Sequence, residues 1–349
     1  NSVPYNGRGP CMRCRWCVGF LCEVNAKNGT QNTVVPAALA TGNCELRTLT
    51  MVKEILLDPR GAATGVAYFD EHDRLQTQLA DLVVVSASAV ETPRLLLNSK
   101  HRLFPAGLGN RHDWVGRNFQ GHVYSGAVGR FEEELYDDLG PGAGIAISDY
   151  NHGNPGLRGG AALCNEFIRL PVQFPGYLPP GTPRWGAANK NAMRAWYKRT
   201  VTIQGPTQEM PVFTSRIDVD SNVKDRWGIP VARISGGRHA HSLEIAKVMA
   251  DKAAAWLTEA GAVQVWKRIP GPGPSGGQHQ AGTCRMGNDP KTSVTNQYGQ
   301  IHDVANVFVV DGSLHVTNGG FNPALTIMAN AYRASDYIVN TWKGTRFRL

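Results

Sequence analysis

The sequence predicts a mixed α/β and α+β fold, with a parallel-sheet part split between the two ends of the chain and an antiparallel sheet in the middle. Three observations predict it. Leu82-Val83-Val84-Val85 is a continuous apolar, mostly β-branched run, the mark of a strand buried on both faces, and it leads into Ser86-Ala87-Ser88-Ala89 and a helix. Val307-Phe308-Val309-Val310 is a second such run, followed by the tight turn Asp311-Gly312 and a helix over 323–340. Between them, 135–215 is rich in Gly, Pro, Asn and aromatics with weak periodicity, so long loops over a sheet are expected. A strand, a small-residue turn and a helix make half of a Rossmann-like nucleotide-binding unit, because small side chains let a ligand approach the backbone and the helix N-terminus.

Size and composition bound the rest. A chain of 349 residues has room for about two domains at roughly 150 residues each. With 42% apolar and 18% charged residues it can fill a large core and carries too little charge for disorder. Seven cysteines are too sparse for a disulfide scaffold. No apolar run reaches the ~18 residues of a membrane span, so no transmembrane segment is expected. The net charge of +8 is spread along the chain, apart from a loose tail cluster of Lys343, Arg346 and Arg348. It reads as a solvated basic surface, and no nucleic acid partner is expected. The chain begins Asn1-Ser2-Val3, without Met or a signal-like segment, which reads as a processed, clipped or truncated start and assigns no compartment.

The elements follow in order. Residues 1–30 read as loop, then a short helix. Cys44 to Leu49 alternates like a strand, and Met51 to Leu57 less cleanly. Asp58-Pro59-Arg60-Gly61 is a turn and Gly65 to Phe69 a second strand, making a hairpin. The helix after Val85 is expected to carry Pro93 in its first turn. Ser215 to Val219 and Pro230 to Ile234 form a strand pair. A helix follows with Ile245, Val248, Met249, Ala253, Trp256 and Leu257 on one face, Gly261 as its stop, and a strand from Val263 to Trp266.

Three motifs bear on chemistry. Cys11, Cys14, Cys17 and Cys22 lie at spacings of 3, 3 and 5, resembling the ligand run of an iron–sulfur cluster. Zinc fits less well, since it prefers separated pairs, and a loop of free thiols or one disulfide is the plain alternative. A literal GxGxxG occurs at Gly271-Pro-Gly273-Pro-Ser-Gly276, but Pro272 and Pro274 remove two N–H donors and no helical pattern follows. Gly140-Pro-Gly142-Ala-Gly144 lacks a preceding strand, so the chain holds no complete phosphate-binding fingerprint. The third motif is His279-Gln-Ala-Gly282-Thr283-Cys-Arg285-Met286-Gly287, then the Asp311-Gly312-Ser313 turn, then Asn318-Gly319-Gly320-Phe321-Asn322-Pro323. Asn-Pro opening a helix can present a carboxamide and helix N-terminal N–H groups at one spot, with a histidine arriving from a separate loop.

This C-terminal stretch resembles the signature of the glucose–methanol–choline (GMC) oxidoreductases, flavoenzymes that use FAD. The Asn322-Pro323 form looks like the branch of pyranose oxidases, glycoside 3-oxidases, and gluconate, fructose and glucoside dehydrogenases. The resemblance continues through Cys11 to Lys27, Val52 to Asp58, Gly65 to Tyr68, Val83 to Leu97, Val115-Gly116-Arg117-Asn118 with His122, and Val223 to Pro230, and is poor over 130–200. It implies an FAD-binding domain at 1–108, with the Cys-rich loop 11–22, and at 271–349, with a substrate-binding domain at 109–270. It implies that the family's phosphate-binding strand–turn–helix precedes Asn1, in a longer enzyme or on a second polypeptide.

The resemblance also implies the chemistry. His279, with an ordinary pKa of ~6.5, would take the proton of a secondary hydroxyl of a sugar, glycoside or sugar acid. Asn322 would donate to the same oxygen, and hydride would pass to flavin N5. Electrons would leave to O2 or to a quinone or cytochrome. Val52, Ala87, Ser88, Asp311, Gly312 and the backbone of Asn322-Pro323 would line FAD. His122 and His315 are second candidates for the base. Among the middle aromatics, Tyr150, Phe167, Phe174, Tyr177 and Trp185 are available to stack on substrate, with ordinary packing the plainer role. The contrasting expectation is a non-catalytic binding or iron–sulfur electron-transfer subunit that holds flavin only with a second chain.

Overall fold

The computed structural model describes residues 1–14, 17, 20–135, 140, 144–165, 170–275 and 277–342. Phe167, Gly142, Gly276 and the tail cations Lys343, Arg346 and Arg348 lie outside the described residues. The chain divides into two compact units, one of residues 1–47, 124–206 and 246–270 and the other of 48–123, 207–245 and 271–349.

The larger unit opens with β1 (Met51–Leu57), β2 (Ala63–Phe69) and β3 (Leu75–Leu79), an antiparallel sheet in the order β1-β2-β3. Asp58 makes the expected turn, its Oδ1 accepting from the N–H groups of Arg60 (2.8 Å) and Ala62 (3.0 Å). Two expectations fail here. Residues 44–49 form no strand, because Leu49 adopts a left-handed φ of 54° that breaks extended pairing. The unexpected β3 has both leucines exposed, so its burial pattern carries no apolar face for a sequence to reveal.

Next come β4 (Val83–Val85) and β12 (Val307–Val309), which pair in parallel with Val83 opposite Val307 and Val85 opposite Val309. All three residues of β12 are buried. In β4 Val84 is 47% exposed, so this strand is covered on one face and not on both as the β-branched run suggested. α2 (Ser88–Asn98) follows β4, and Pro93 sits inside it rather than in its first turn. Proline cannot donate to the carbonyl four residues back, that of Ala89. Thr283, fully buried, supplies the missing donor at 2.7 Å. Leu96, Leu108, Val115, Ile301, Val309 and Leu314 fill the core around β4 and β12.

Arg94 of α2 reaches the hairpin of β9 (Arg216–Lys224) and β10 (Pro230–Ser235), a pair the sequence predicted. Its guanidinium bonds Asp225 (2.6 Å), Glu91 (2.9 Å) and the Pro230 carbonyl (2.8 Å). α5 (Ala324–Trp342) closes the described chain.

The smaller unit contains the short α1 (Val34–Ala40) and a five-stranded sheet. Its strands are β5 (Val123–Arg130), β6 (Ala146–Ile147), β7 (Leu163–Asn165), β8 (Thr200–Thr207) and β11 (Gln264–Arg268), in the order β11-β5-β8-β7-β6. The pairings β11–β5, β6–β7 and β7–β8 are antiparallel, as expected for the middle of the chain. A helix, α3 (Gly186–Trp196), interrupts the stretch expected to be loops. α4 (Ala240–Glu259) buries Ile245, Met249, Ala253 and Leu257 at four-residue spacing, and Gly261 ends it at φ 94°. Among the middle aromatics, Phe174 is fully buried against Tyr197, Tyr177 lies under the Arg268 guanidinium, Tyr150 under Lys252, and Trp185 is exposed.

Candidate active site

The parallel strands β4 and β12 end at one edge of the larger unit. Asp311, just past β12, is 6% exposed and clamps that edge. Its Oδ2 accepts from the Ser88 N–H (3.0 Å) and the Thr92 hydroxyl (2.5 Å), and its Oδ1 from the Ser313 N–H (2.9 Å). The carboxylate therefore holds the loop after β4 to the loop after β12, bringing Ala87 and Ser88 beside Asp311 and Gly312. Ser86, Ala87 and Ser88 are exposed there, and Ser88 takes a left-handed φ of 71°. Val52 stands apart in sequence and sheet, near a pairing irregularity of β1 and 38% exposed.

This edge fits a flat nucleotide-type cofactor on two grounds. Small exposed residues at the carboxyl ends of parallel strands offer backbone to a ligand. Four residues beyond Asp311, the imidazole of His315 is buried with its Nε2 lacking a hydrogen-bond partner, a group that costs about 1–3 kcal/mol unless something pairs it. Burial holds the His315 imidazole below the ordinary histidine pKa, and the nearby Asn318 carboxamide pulls the other way.

The histidines come together through backbone register. Segments 118–122 and 278–282 run antiparallel, with Gln120 N–H donating to Ala281 O (3.0 Å), Ala281 N–H to Gln120 O (2.9 Å), and His122 N–H to Gln278 O (3.1 Å). Continued unbroken, this register would bond His122 to His279, but the His122 N–H goes to Gln278 O, so the ladder is offset by one residue at His279. Their Nδ1 atoms are 2.7 Å apart and the rings cross at 80°, with centroids at 4.8 Å. His279 occupies a left-handed φ of 61°, an uncommon state for a non-glycine residue, which turns it out of the ladder. Gly282 makes the close crossing possible: its φ is 92°, and a Cβ there would meet the Asn118 carbonyl at 2.3 Å.

Burial and a neighbouring imidazole set the protonation states. His122 is held down to about 4, first by burial and then by the proximity of His279, while its bond to the Gly319 carbonyl opposes the fall. Burial also holds His279 below the usual histidine value. Both rings are therefore neutral near pH 7.

Buried carboxamides brace the pair. Asn318 is fully buried: its Nδ2 donates to His279 O (2.8 Å), its N–H to Gln120 Oε1 (3.0 Å), and its carbonyl accepts from Glu209 N–H (3.1 Å). The Glu209 carboxylate, 2% exposed, accepts from Gly121 N–H (3.0 Å) and the Ser275 hydroxyl (2.9 Å). Asn322 lies three residues beyond Gly319 and is exposed, just before buried Pro323, whose carbonyl accepts from Ile327 N–H as α5 begins. The bonds at Asn318 and Gly319 thus tie the start of this Asn-Pro segment to the two histidines.

Two family profiles described as GMC oxidoreductase match residues 1–124 and 211–331. The chain belongs to the GMC oxidoreductase family. It is 33% identical over 325 residues to 2-methyl-1,2-propanediol dehydrogenase of Mycolicibacterium austroafricanum, covering 87% of this chain and 55% of that protein. It is 30% identical over 347 residues to the gluconate 2-dehydrogenase flavoprotein of Pantoea cypripedii, covering 93% and 55%. The chain thus spans about half the length of the curated relatives it matches. The crystal structure of pyridoxine 4-oxidase from Mesorbium loti superposes with a TM-score of 0.59 at 16% identity, over 83% of this chain and 57% of that one, a likeness of fold.

One sequence expectation for this GMC oxidoreductase is corrected by the structure. Cys11, Cys14, Cys17 and Cys22 do not gather into an iron–sulfur site. Among the described residues no group of three or more His, Cys, Asp or Glu is placed to hold a metal ion, and the four are free thiols. Cys11 Sγ accepts from the Arg13 N–H (3.3 Å) and Cys22 Sγ from the Ala26 N–H (3.2 Å). Among the described residues, no helix is long and apolar enough to cross a membrane. The sequence reading missed Gln120, Asn318 and Glu209. The first two sit inside stretches already singled out, two residues before His122 and four before Asn322. Glu209 lies where no local pattern marks it.

Proposed function

We propose that this chain carries the hydroxyl-activating site of an FAD-dependent oxidoreductase that oxidises a secondary hydroxyl of a sugar, glycoside or sugar acid. The observation that carries this reading is a neutral imidazole, His279, turned out of a backbone ladder beside the segment that leads to Asn322. FAD, when bound, supplies the hydride acceptor. Ala87, Ser88, Gly312 and the backbone of Asn322-Pro323 would hold it, with Val52 on the adenine side. Asp311 contributes by fixing the shape of that edge, since both of its oxygens already accept bonds.

The residues of the chain do the acid–base work. His279, kept neutral by burial, takes the hydroxyl proton, and Asn322 donates a hydrogen bond to the same oxygen as charge develops on it. The gluconate and diol dehydrogenase relatives support a polyol-type substrate. Electrons then pass to O2 or to a quinone or cytochrome. In the flavin-loaded enzyme, His279→Ala is expected to slow anaerobic flavin reduction by about 10²–10⁴-fold. An unchanged rate rejects the assignment.

A second reading treats the chain as a binding subunit that holds flavin only with another polypeptide. The half-exposed Val84, on a parallel sheet of two strands, favours it. It predicts that the chain by itself purifies colourless and turns yellow only with a companion that supplies the phosphate loop.

A further inference from the structure

We propose that His122 is a positioning residue that fixes the tautomer of His279, holding its proton on Nδ1 and its lone pair on Nε2. The inference rests on the reading of His279 as base and says which nitrogen does the work.

One chain of hydrogen bonds fixes the protons. A carbonyl oxygen only accepts, so the contact of 2.5 Å between His122 Nε2 and the Gly319 carbonyl requires a proton on that Nε2. A neutral imidazole carries one N–H, so Nδ1 of His122 must be the acceptor. Its neighbour at 2.7 Å is His279 Nδ1, which must then be the donor. With the proton on Nδ1, the basic nitrogen of neutral His279 is Nε2. His122 is 3% exposed and held well below the usual histidine pKa, which keeps it from carrying a second proton and reversing the relay.

The surroundings hold this arrangement in place. The Gly319 carbonyl adjoins Asn318, which is pinned by Glu209, Gln120 and the His279 carbonyl. Glu209 also binds the N–H of Gly121, next to His122. An isolated histidine side chain prefers the opposite tautomer, with the proton on Nε2, so a histidine base held this way needs a partner like His122. A carboxylate or backbone carbonyl commonly fills that place in other sites. Here a second neutral imidazole fills it without adding negative charge beside the base.

The test needs no flavin. The full chain labelled with 15N-histidine is examined by long-range 1H–15N correlation near pH 7, with His279 assigned by its loss in His279→Ala. The expected result is a His279 protonated on Nδ1 and a His122 protonated on Nε2. A wild-type His279 protonated on Nε2 overturns the proposal, and this arm holds even if a variant fails to fold. In His122→Ala the tautomer should shift toward Nε2–H, whereas His122→Asn, whose Oδ1 can accept in place of Nδ1, should keep Nδ1–H. An unchanged tautomer in His122→Ala also overturns it. In the flavin-loaded enzyme, His122→Ala should slow flavin reduction about tenfold or more with substrate Kd little changed, and His122→Asn should recover most of the rate. If the tautomers are as stated while His279→Ala reduces flavin normally, the functional reading fails and the tautomer assignment stands.

Discussion

Replacing Thr283 by valine tests how the histidine motif is fastened to α2. The change keeps side-chain shape and removes one hydroxyl. That hydroxyl, fully buried, donates at 2.7 Å to the Ala89 carbonyl, which Pro93 leaves without its helical donor. Valine would leave a buried acceptor unpaired, at a cost of about 1–3 kcal/mol. The cost should depend on Pro93. In a Pro93→Ala background the residue at 93 again has an N–H, four positions after Ala89, and Thr283→Val should then cost far less. Urea unfolding of the four proteins, followed by far-UV circular dichroism and tryptophan fluorescence, gives the coupling directly. The expected coupling is about 1 kcal/mol or more, against the ~0.5 kcal/mol within which independent sites add. Equal costs in the two backgrounds would refute the account of how Pro93 is accommodated.

Two further outcomes follow from the charges. Because burial holds His279 below the ordinary histidine value and the base works only when deprotonated, flavin reduction should rise with pH with a midpoint below about 6.5, and a rise centred above that value would contradict it. Arg94→Ala should destabilise the protein by about 1–3 kcal/mol near neutral pH, measured by denaturant unfolding, since it removes the cation bonded to Asp225 Oδ2, while Asp225 keeps two backbone N–H donors and the Pro230 carbonyl keeps Asn98. Burial would raise the Asp225 carboxyl, but the N–H groups of Ile229 and Trp227 together with Arg94 hold it below its usual range. Its contribution is full above the ordinary aspartate pKa of ~3.9 and fades as pH falls through the lower folded value, so wild type and variant should converge in acid.

Much of the fold was legible because its signals are local. The β-branched runs at 82–85 and 307–310, the four-residue spacing of α4 and the Asp58 turn each announce themselves within a few residues. The failures are where packing outweighs local pattern. Pro93 sits in the middle of a helix because a threonine 190 positions away replaces its donor. Val84 is exposed although its neighbours are buried, and β3 is held by pairing alone. At the candidate site, His279 and the Asn-Pro segment were legible as motifs, and His122 was noticed as a possible base. That His122 faces His279 follows from pairing between segments about 160 residues apart, which no local pattern encodes. The cysteine spacing was misleading for the complementary reason: spacing permits a cluster but does not make the sulfurs converge.

The central claim is that His279 and Asn322 act on one hydroxyl oxygen. It is tested most directly by a double-mutant cycle, His279→Ala, Asn322→Ala and both together, read as the limiting rate of anaerobic flavin reduction in the flavin-loaded enzyme. Two groups that grip the same atom should be strongly non-additive, the double variant falling little below His279→Ala alone. Losses that simply multiply would mean that the two side chains act at separate places, and the account would be wrong.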